Sequence, residues 1–71
     1  MKDHQLTALV QVADSGSIRA AARAMNLSQR ALTKALRELE EDAGAELLQR
    51  SDKGIGFTPE GNALLIRARL V

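Results

Sequence analysis

The chain has 71 residues, 45% hydrophobic and 27% charged, which are ordinary values for one small folded domain. It has no cysteine and one histidine (His4), which excludes disulfides, thiolate metal sites and histidine-cluster metal sites. No apolar run approaches the roughly 18 residues of a membrane helix, and no nucleophile–base pair or set of metal ligands can be assembled. We therefore expect a cytoplasmic, non-enzymatic domain without metal or cofactor, which docks on a larger partner.

Aromatic residues are nearly absent, since Phe57 is the only one. The core must then be built from Leu, Ile, Val, Met and Ala, a composition suited to closely packed helices. Modules that bind single-stranded nucleic acid stack bases on aromatic side chains. Such a module is therefore disfavoured, and a mainly α fold is expected.

The first predicted element is a helix from about Asp3 to Ser15. Asp3 can cap its start, and Gly16 stands where a left-handed residue can end it. Its apolar residues recur at the three- and four-residue spacing of one helical face. This expected core face consists of Leu6, Leu9, Val10 and Ala13.

A short helix, a tight turn and a longer helix follow. The short helix runs from Ile18 to about Met25 with Ser17 as its cap, and the longer one covers 28–43 with Ser28 as its cap. Leu27, in the turn, is expected to dip into the core. This order predicts a helix-turn-helix in which 28–43 is the recognition helix.

Two short extended runs around a glycine-containing turn predict a β-hairpin wing over 50–57. Thr58-Pro59-Glu60 then opens a last helix with a capping hydroxyl, a proline at the first position and an acid in the first turn. Because this helix has only the hairpin to pack on, a second copy of the chain is expected to cover its apolar stripe. The predicted dimerisation residues are Leu64, Leu65, Ala68 and Val71.

The formal net charge of +1 hides a strong asymmetry along the chain. The segment 15–37 contains five basic residues and no acidic one, whereas 38–46 contains five acidic residues and no basic one. The recognition helix therefore begins with cations, which its dipole disfavours. A helix arranged against its own stability suggests that these charges serve a function.

The outward face of the recognition helix fits the major groove of DNA. There a glutamine can recognise adenine, an arginine or lysine guanine, and a threonine a thymine methyl group or a phosphate. Charged helix faces are usually only solvated surface, but the preceding helix, the tight turn and the lack of acids favour DNA here. The predicted DNA-binding residues, including wing cations for which plain solvent exposure is the alternative, are Arg19, Ser28, Gln29, Arg30, Thr33, Lys34, Arg37, Arg50 and Lys53.

Two functions of different classes fit these residues. The first is sequence-specific binding of double-stranded DNA by a dimer. The second is a winged-helix protein-interaction module whose basic face meets an acidic partner, because a fold does not fix a function. A protein-interaction module of this kind would show no affinity for duplex DNA at low salt.

Five motifs occur in a specific order along the whole chain. They are Gly16-Ser17-Ile18-Arg19-Ala20-Ala21-Ala22, Leu27-Ser28-Gln29-Arg30-Ala31-Leu32-Thr33-Lys34, Leu36-x-x-Leu39-Glu40, Leu47-Leu48-x-Arg50 and Phe57-Thr58-Pro59-Glu60-Gly61. This ordered set resembles the amino-terminal domain of LysR-type transcriptional regulators. Arg30 departs from the pattern, because the family commonly has proline there.

The resemblance implies a mainly α, winged helix-turn-helix fold with a three-helix core, a small β-hairpin wing and a C-terminal linker or dimerisation helix. Residues 1–58 would form the DNA-binding domain, and 59–71 the start of the linker helix of a chain truncated before an effector-binding domain. The implied partners are bacterial promoter DNA with an interrupted inverted repeat, a second copy of the chain, and further copies in the full-length protein. A small-molecule effector would bind only through the missing C-terminal domain.

Overall fold

The computed structural model describes residues 1–51 and 54–70, which form four helices and one antiparallel hairpin. In chain order these are α1 (Asp3–Ser15), α2 (Ile18–Met25), α3 (Gln29–Ala43), β1 (Leu48–Ser51), β2 (Gly54–Phe57) and α4 (Pro59–Arg69). The predicted order of elements is therefore confirmed. None of the described helices is long and apolar enough to cross a membrane.

Three helices begin at the hydroxyl residues that the sequence predicted as caps. The side-chain oxygens of Ser17, Ser28 and Thr58 accept backbone N–H groups at 3.0, 3.0 and 2.9 Å. The predicted cap at Asp3 is wrong, because Lys2 occupies the N-cap position of α1. The backbone N–H of Lys2 donates to Oε1 of Gln5 at 3.1 Å, so a buried amide serves the start of α1 instead.

The core lies between α1, α2 and α3, and its buried hydrophobic side chains are all aliphatic. Its buried residues are Ala8, Leu9, Val12, Ala21, Ala22, Leu32, Ala35, Leu36, Leu39 and Leu47. The predicted core face of α1 is partly confirmed, because Leu9 is fully buried and Leu6 packs against the core. It is wrong for Val10 and Ala13, which are only half-buried, and it left out the buried residues Gln5, Ala8 and Val12. Since α1 packs against three other helices, its apolar residues extend over more than one face and do not mark the central one.

The turn of the helix-turn-helix is fixed by backbone geometry. Asn26 has a left-handed conformation (φ 61°), and the N–H of Leu27 donates to the carbonyl of Ala22 at 2.8 Å. The prediction that Leu27 dips into the core is wrong, because it is 42% exposed. The backbone hydrogen bond therefore sets the angle between α2 and α3 without a buried side chain in the turn.

The hairpin begins two residues earlier than the predicted wing over 50–57. Leu48 pairs with Phe57, and Arg50 pairs with Ile55. Because side chains alternate along a strand, Leu48 and Arg50 lie on the same face of the hairpin. Leu48 is half-buried against the core. The sequence did not place it in the exposed wing because it follows another leucine in a short apolar run.

The segment before the hairpin is hydrogen-bonded on both sides. Oε2 of Glu40, in α3, accepts the backbone N–H groups of Leu47 and Leu48 at 2.8 and 3.3 Å. The N–H of Thr58 donates to the carbonyl of Leu47 at 3.1 Å, and its hydroxyl donates to the carbonyl of Glu46 at 2.6 Å. We call residues 46–48 the hairpin base, which is thus joined to α3 and to the start of α4.

The last helix does not rest on the hairpin alone, so that prediction is wrong. α4 packs against α1, and Leu64 and Leu65 are half-buried against the core. Nη2 of Arg69 donates to Oδ1 of Asp14 at 2.6 Å, which joins the ends of α4 and α1. This hydrogen bond and the attraction of the Asp14 carboxylate raise the pKa of the Arg69 guanidinium above its ordinary value.

Gly61 should tolerate no side chain. A β-carbon there would lie 2.9 Å from the carbonyl carbon of Leu47 and closer still to its oxygen, whereas one at Gly56 would lie 3.9 Å from the carbonyl oxygen of Gln49. We expect Gly61→Ala to lower the free energy of unfolding by about 1–3 kcal/mol because the first turn of α4 must move. Urea denaturation followed by circular dichroism measures this, with Gly56→Ala as the control. Equal stability of the two variants would contradict the close approach.

Candidate nucleic-acid interface

A groove separates α3 from the hairpin. Thr33 and Arg37 line it from α3, and Arg50 and Ile55 line it from the paired strands. Ile18, at the start of α2, also contributes to this groove. The hairpin therefore presents its arginine toward the same space as the outward residues of the recognition helix.

A second hollow adjoins the groove near the starts of α2 and α3. Arg19 and Gln29 line it together with Arg50, and both hollows include Ile18 and Ile55. Arg50 thus lies at the junction of two surfaces that the sequence could only propose separately. We call the resulting surface of Arg19, Gln29, Thr33, Arg37 and Arg50 the basic face.

The cations of the basic face are available to an external anion. Arg19, Arg37 and Arg50 are exposed. Among the described residues, ion pairs join Arg69 to Asp14 and the Met1 amino group to Asp42, at 2.6 and 3.5 Å, and neither pair involves this face. No described carboxylate therefore forms an ion pair with these arginines.

Two helix starts add to the positive potential of this region. Neither α2 nor α3 has an acidic residue in its first turn, so the partial positive charge of each helix start is not compensated there. The Ser28 hydroxyl oxygen accepts the N–H of Ala31, which leaves its proton for donation outward. Such a group suits a phosphate oxygen.

Not every predicted contact residue lies in the two hollows. Arg30 and Lys34 are exposed on α3, four residues apart and on one side of the helix, but they line neither hollow. Lys53 lies outside the described residues. Ser28, the exposed cap of α3, also lines neither hollow. The described part of the predicted binding set is therefore divided among the basic face, this cap and the neighbouring pair on α3.

The predicted dimerisation residues are less exposed than other apolar residues of α4. Leu64, Leu65 and Ala68 are half-buried, and Val71 lies outside the described residues. Ile66 and Leu70 are 63% and 82% exposed, and together with exposed Ala63 they form a second stripe at helical spacing. α4 therefore carries a half-buried apolar stripe, which includes the predicted dimerisation residues, and a more exposed stripe beside it.

Glu40 was also missed as part of the site. Its side chain lines the groove with Thr33, Arg37 and Arg50 while it accepts hydrogen bonds from the hairpin base. In the sequence it is one of several acids in the second half of α3. No local pattern separates it from its exposed neighbour Glu41, because its partners lie after the end of the helix.

The family model for bacterial regulatory helix-turn-helix proteins of the lysR family matches residues 4–62. The chain belongs to the LysR family. It is 48% identical over 66 residues to the small neutral protease regulatory protein of Streptomyces coelicolor, and 39% identical over 71 residues to the HTH-type transcriptional regulator TcbR of Pseudomonas sp. strain P51. These matches cover 93% and 100% of this chain. The resemblance found in the sequence motifs is confirmed.

Solved structures of LysR regulators agree with the fold. The crystal structure of the CbnR DBD–DNA complex matches with a TM-score of 0.92 at 40% identity, covering 99% of this chain and 80% of that one. The predicted winged helix-turn-helix is therefore confirmed. The chain spans 21% and 24% of the length of the two curated relatives, whose names indicate regulators rather than enzymes.

Proposed function

We propose that this LysR-family domain binds double-stranded DNA sequence-specifically, with α3 in the major groove and the hairpin on the backbone or adjacent minor groove. The observation that carries the proposal is the convergence of Arg19, Gln29, Arg37 and Arg50 on one face. Phosphate contacts fix a protein on the duplex, whereas contacts to base edges select the sequence. The basic face offers groups of both kinds side by side. A solved relative, the CbnR DBD, is in complex with DNA.

We divide the proposed DNA-binding residues into base-contacting and phosphate-contacting groups. Gln29, in the first turn, suits the two hydrogen-bonding positions of adenine, and Arg30 or Lys34 suits guanine. Thr33 suits a thymine methyl group or a phosphate. Cations on the flanks of the groove suit phosphates. The proposed phosphate-contacting residues are Arg19, Ser28, Arg37, Arg50 and Lys53.

A protein-interaction module with an acidic partner is the alternative from the sequence. Binding of an acidic protein would explain the exposed arginines. It would not explain why Gln29 lies beside Arg19 and Arg50 in one hollow. The two functions differ in the response to duplex DNA at low salt, which the first experiment measures.

Binding to a labelled random-sequence duplex across a salt series tests the function directly. We expect affinity to fall steeply as salt rises, because neutralised phosphates release counterions, and we expect a matched single strand to bind more weakly. Arg50→Ala should lower the salt slope by about one unit if Arg50 contacts one phosphate. The control Arg67→Ala removes an exposed arginine that lines a different hollow, beside Met1 and Leu64, and should leave the slope unchanged.

Each outcome of this experiment has a separate meaning. Absence of duplex binding by the unaltered chain at the lowest salt would overturn the proposed function. Normal binding with an unchanged slope in Arg50→Ala would remove only the phosphate contact of Arg50.

Gln29→Ala should weaken binding to a selected specific site by about 1–3 kcal/mol if Gln29 makes a bidentate base contact. Affinity for random duplex should change little, because base contacts contribute little there. The specific site is first selected from a randomised duplex library, and both affinities are then measured at one salt concentration. Gln11→Ala, on α1 away from both hollows, is the matched control. Equal losses on specific and random DNA would remove Gln29 from base recognition.

The same proposal includes a dimer in which α4 of each copy packs against the other. Ala63, Ile66 and Leu70 form an exposed apolar stripe that the second copy would bury. The half-buried residues Leu64, Leu65 and Ala68 would extend this interface with the part of their surface that is still exposed. Residues 1–58 then form the DNA-binding domain and 59–71 the linker and dimerisation helix. A dimer of this kind matches an interrupted inverted repeat in promoter DNA. In the parent protein we place higher oligomers, and the response to a small-molecule effector, in regions outside this chain.

Ile66→Glu should raise the dissociation constant of the dimer more than about tenfold, which corresponds to about 1.4 kcal/mol. The monomer should stay folded because Ile66 is 63% exposed. Sedimentation equilibrium over a concentration series measures the change. Ala24→Glu introduces the same charge at an exposed position of α2 and should dimerise normally. A wild-type chain that stays monomeric at high concentration, or equal effects of both variants, would contradict the α4 interface.

A further inference from the structure

We infer that Glu40 is a positioning residue for DNA binding, which holds the hairpin base so that Arg50 stands opposite the recognition helix. The inference rests on the proposed DNA-binding function. It concerns a side chain that contacts the chain's own backbone and need not touch the DNA.

The geometry makes Glu40 the link between α3 and the hairpin. One carboxylate oxygen, Oε2, accepts the N–H groups of Leu47 at 2.8 Å and Leu48 at 3.3 Å. Leu47 is fully buried and Leu48 is the first residue of β1. Hydrogen bonds to an ionised acceptor are about twice as strong as those between neutral groups. The carboxylate therefore fixes the point at which the chain enters the hairpin.

The position of Arg50 depends on that point. Arg50 follows Leu48 by two residues on the same strand face, a separation of about 6.6 Å in an extended strand. Leu48, Arg50 and Glu40 all line the groove beside α3. A shift of the hairpin base is thus transmitted along one short strand to the guanidinium that faces Thr33 and Arg37 across the groove.

The negative charge of Glu40 allows its positioning role to be distinguished from a direct electrostatic effect on DNA. A carboxylate beside phosphate-binding arginines repels DNA, so its removal alone should strengthen binding, as removal of any acid near the face would. A loss of affinity on removal of Glu40 must then come from the lost hydrogen bonds. The side chain of the neighbouring Glu41 is exposed and makes no hydrogen bond or ion pair with the described residues, so it supplies the matched comparison.

The experiment compares Glu40→Ala, Glu40→Gln and Glu41→Ala in duplex binding at one salt concentration. We expect Glu41→Ala to bind as tightly as the unaltered chain or slightly more tightly, and Glu40→Ala to bind about tenfold more weakly, since hydrogen bonds to a charged group are lost. Glu40→Gln keeps one acceptor oxygen and should fall between them. Circular dichroism establishes the folded fraction of each variant, and Glu40→Gln decides the comparison if Glu40→Ala is unfolded.

Combination with Arg50→Ala distinguishes positioning from a general loss of structure. If Glu40 acts through Arg50, the added Glu40 substitution should change affinity less than about twofold in the Arg50→Ala background. Amide hydrogen exchange at Leu47 and Leu48 should speed up in Glu40→Ala, while exchange at Leu32 in the core stays slow.

The inference and the function it rests on fail in different ways. Lack of duplex binding by the unaltered chain overturns the function. If the unaltered chain binds, the inference is overturned by a Glu40→Ala variant that binds as tightly as Glu41→Ala, or by equal losses with and without Arg50.

Discussion

The hydrogen bonding of residues 46–48 is the constraint on which the arrangement of this domain depends. The carboxylate of Glu40 accepts the N–H groups of Leu47 and Leu48, while Thr58 bonds to the carbonyls of Glu46 and Leu47. Buried backbone groups that lose their partners are costly, so this segment has little freedom to move. It joins the third helix, the hairpin and the last helix at one place, where a glycine at position 61 lets the backbones come close.

The third helix carries charges of opposite sign in its two halves. Its first half carries cations that oppose the helix dipole but face outward without described intramolecular partners. Its second half carries acids, one of which holds the hairpin base. The domain thus accepts a small loss of helix stability at both ends of α3. The aliphatic core beneath it, from Leu32 to Leu39, compensates through burial.

The sequence predicted the order of the elements, the caps at Ser17, Ser28 and Thr58, and the outward residues of α3, because each depends on spacing or on a local hydrogen bond. It could not predict which face of α1 is central, because that depends on the other helices packed around it. The expectation that α4 packs on the hairpin alone was wrong for the same reason, since the contact between α4 and α1 depends on tertiary packing. The sequence could not predict the hydrogen bonds of Glu40, because its partners Leu47 and Leu48 follow a turn whose geometry no sequence pattern specifies.

The Arg69–Asp14 ion pair has a mechanical consequence. It joins the last turn of α4 to the end of α1, just before Gly16 and Ser17, where the surface lined by Arg19 and Arg50 begins. Exposed ion pairs of this kind contribute little to stability and weaken with salt. The last turn of α4 is therefore held to α1 partly by a contact that added salt weakens, whereas Leu64 and Leu65 pack against the aliphatic core. A rise in salt would therefore loosen the contact between α4 and the start of the helix-turn-helix before it affected the aliphatic core.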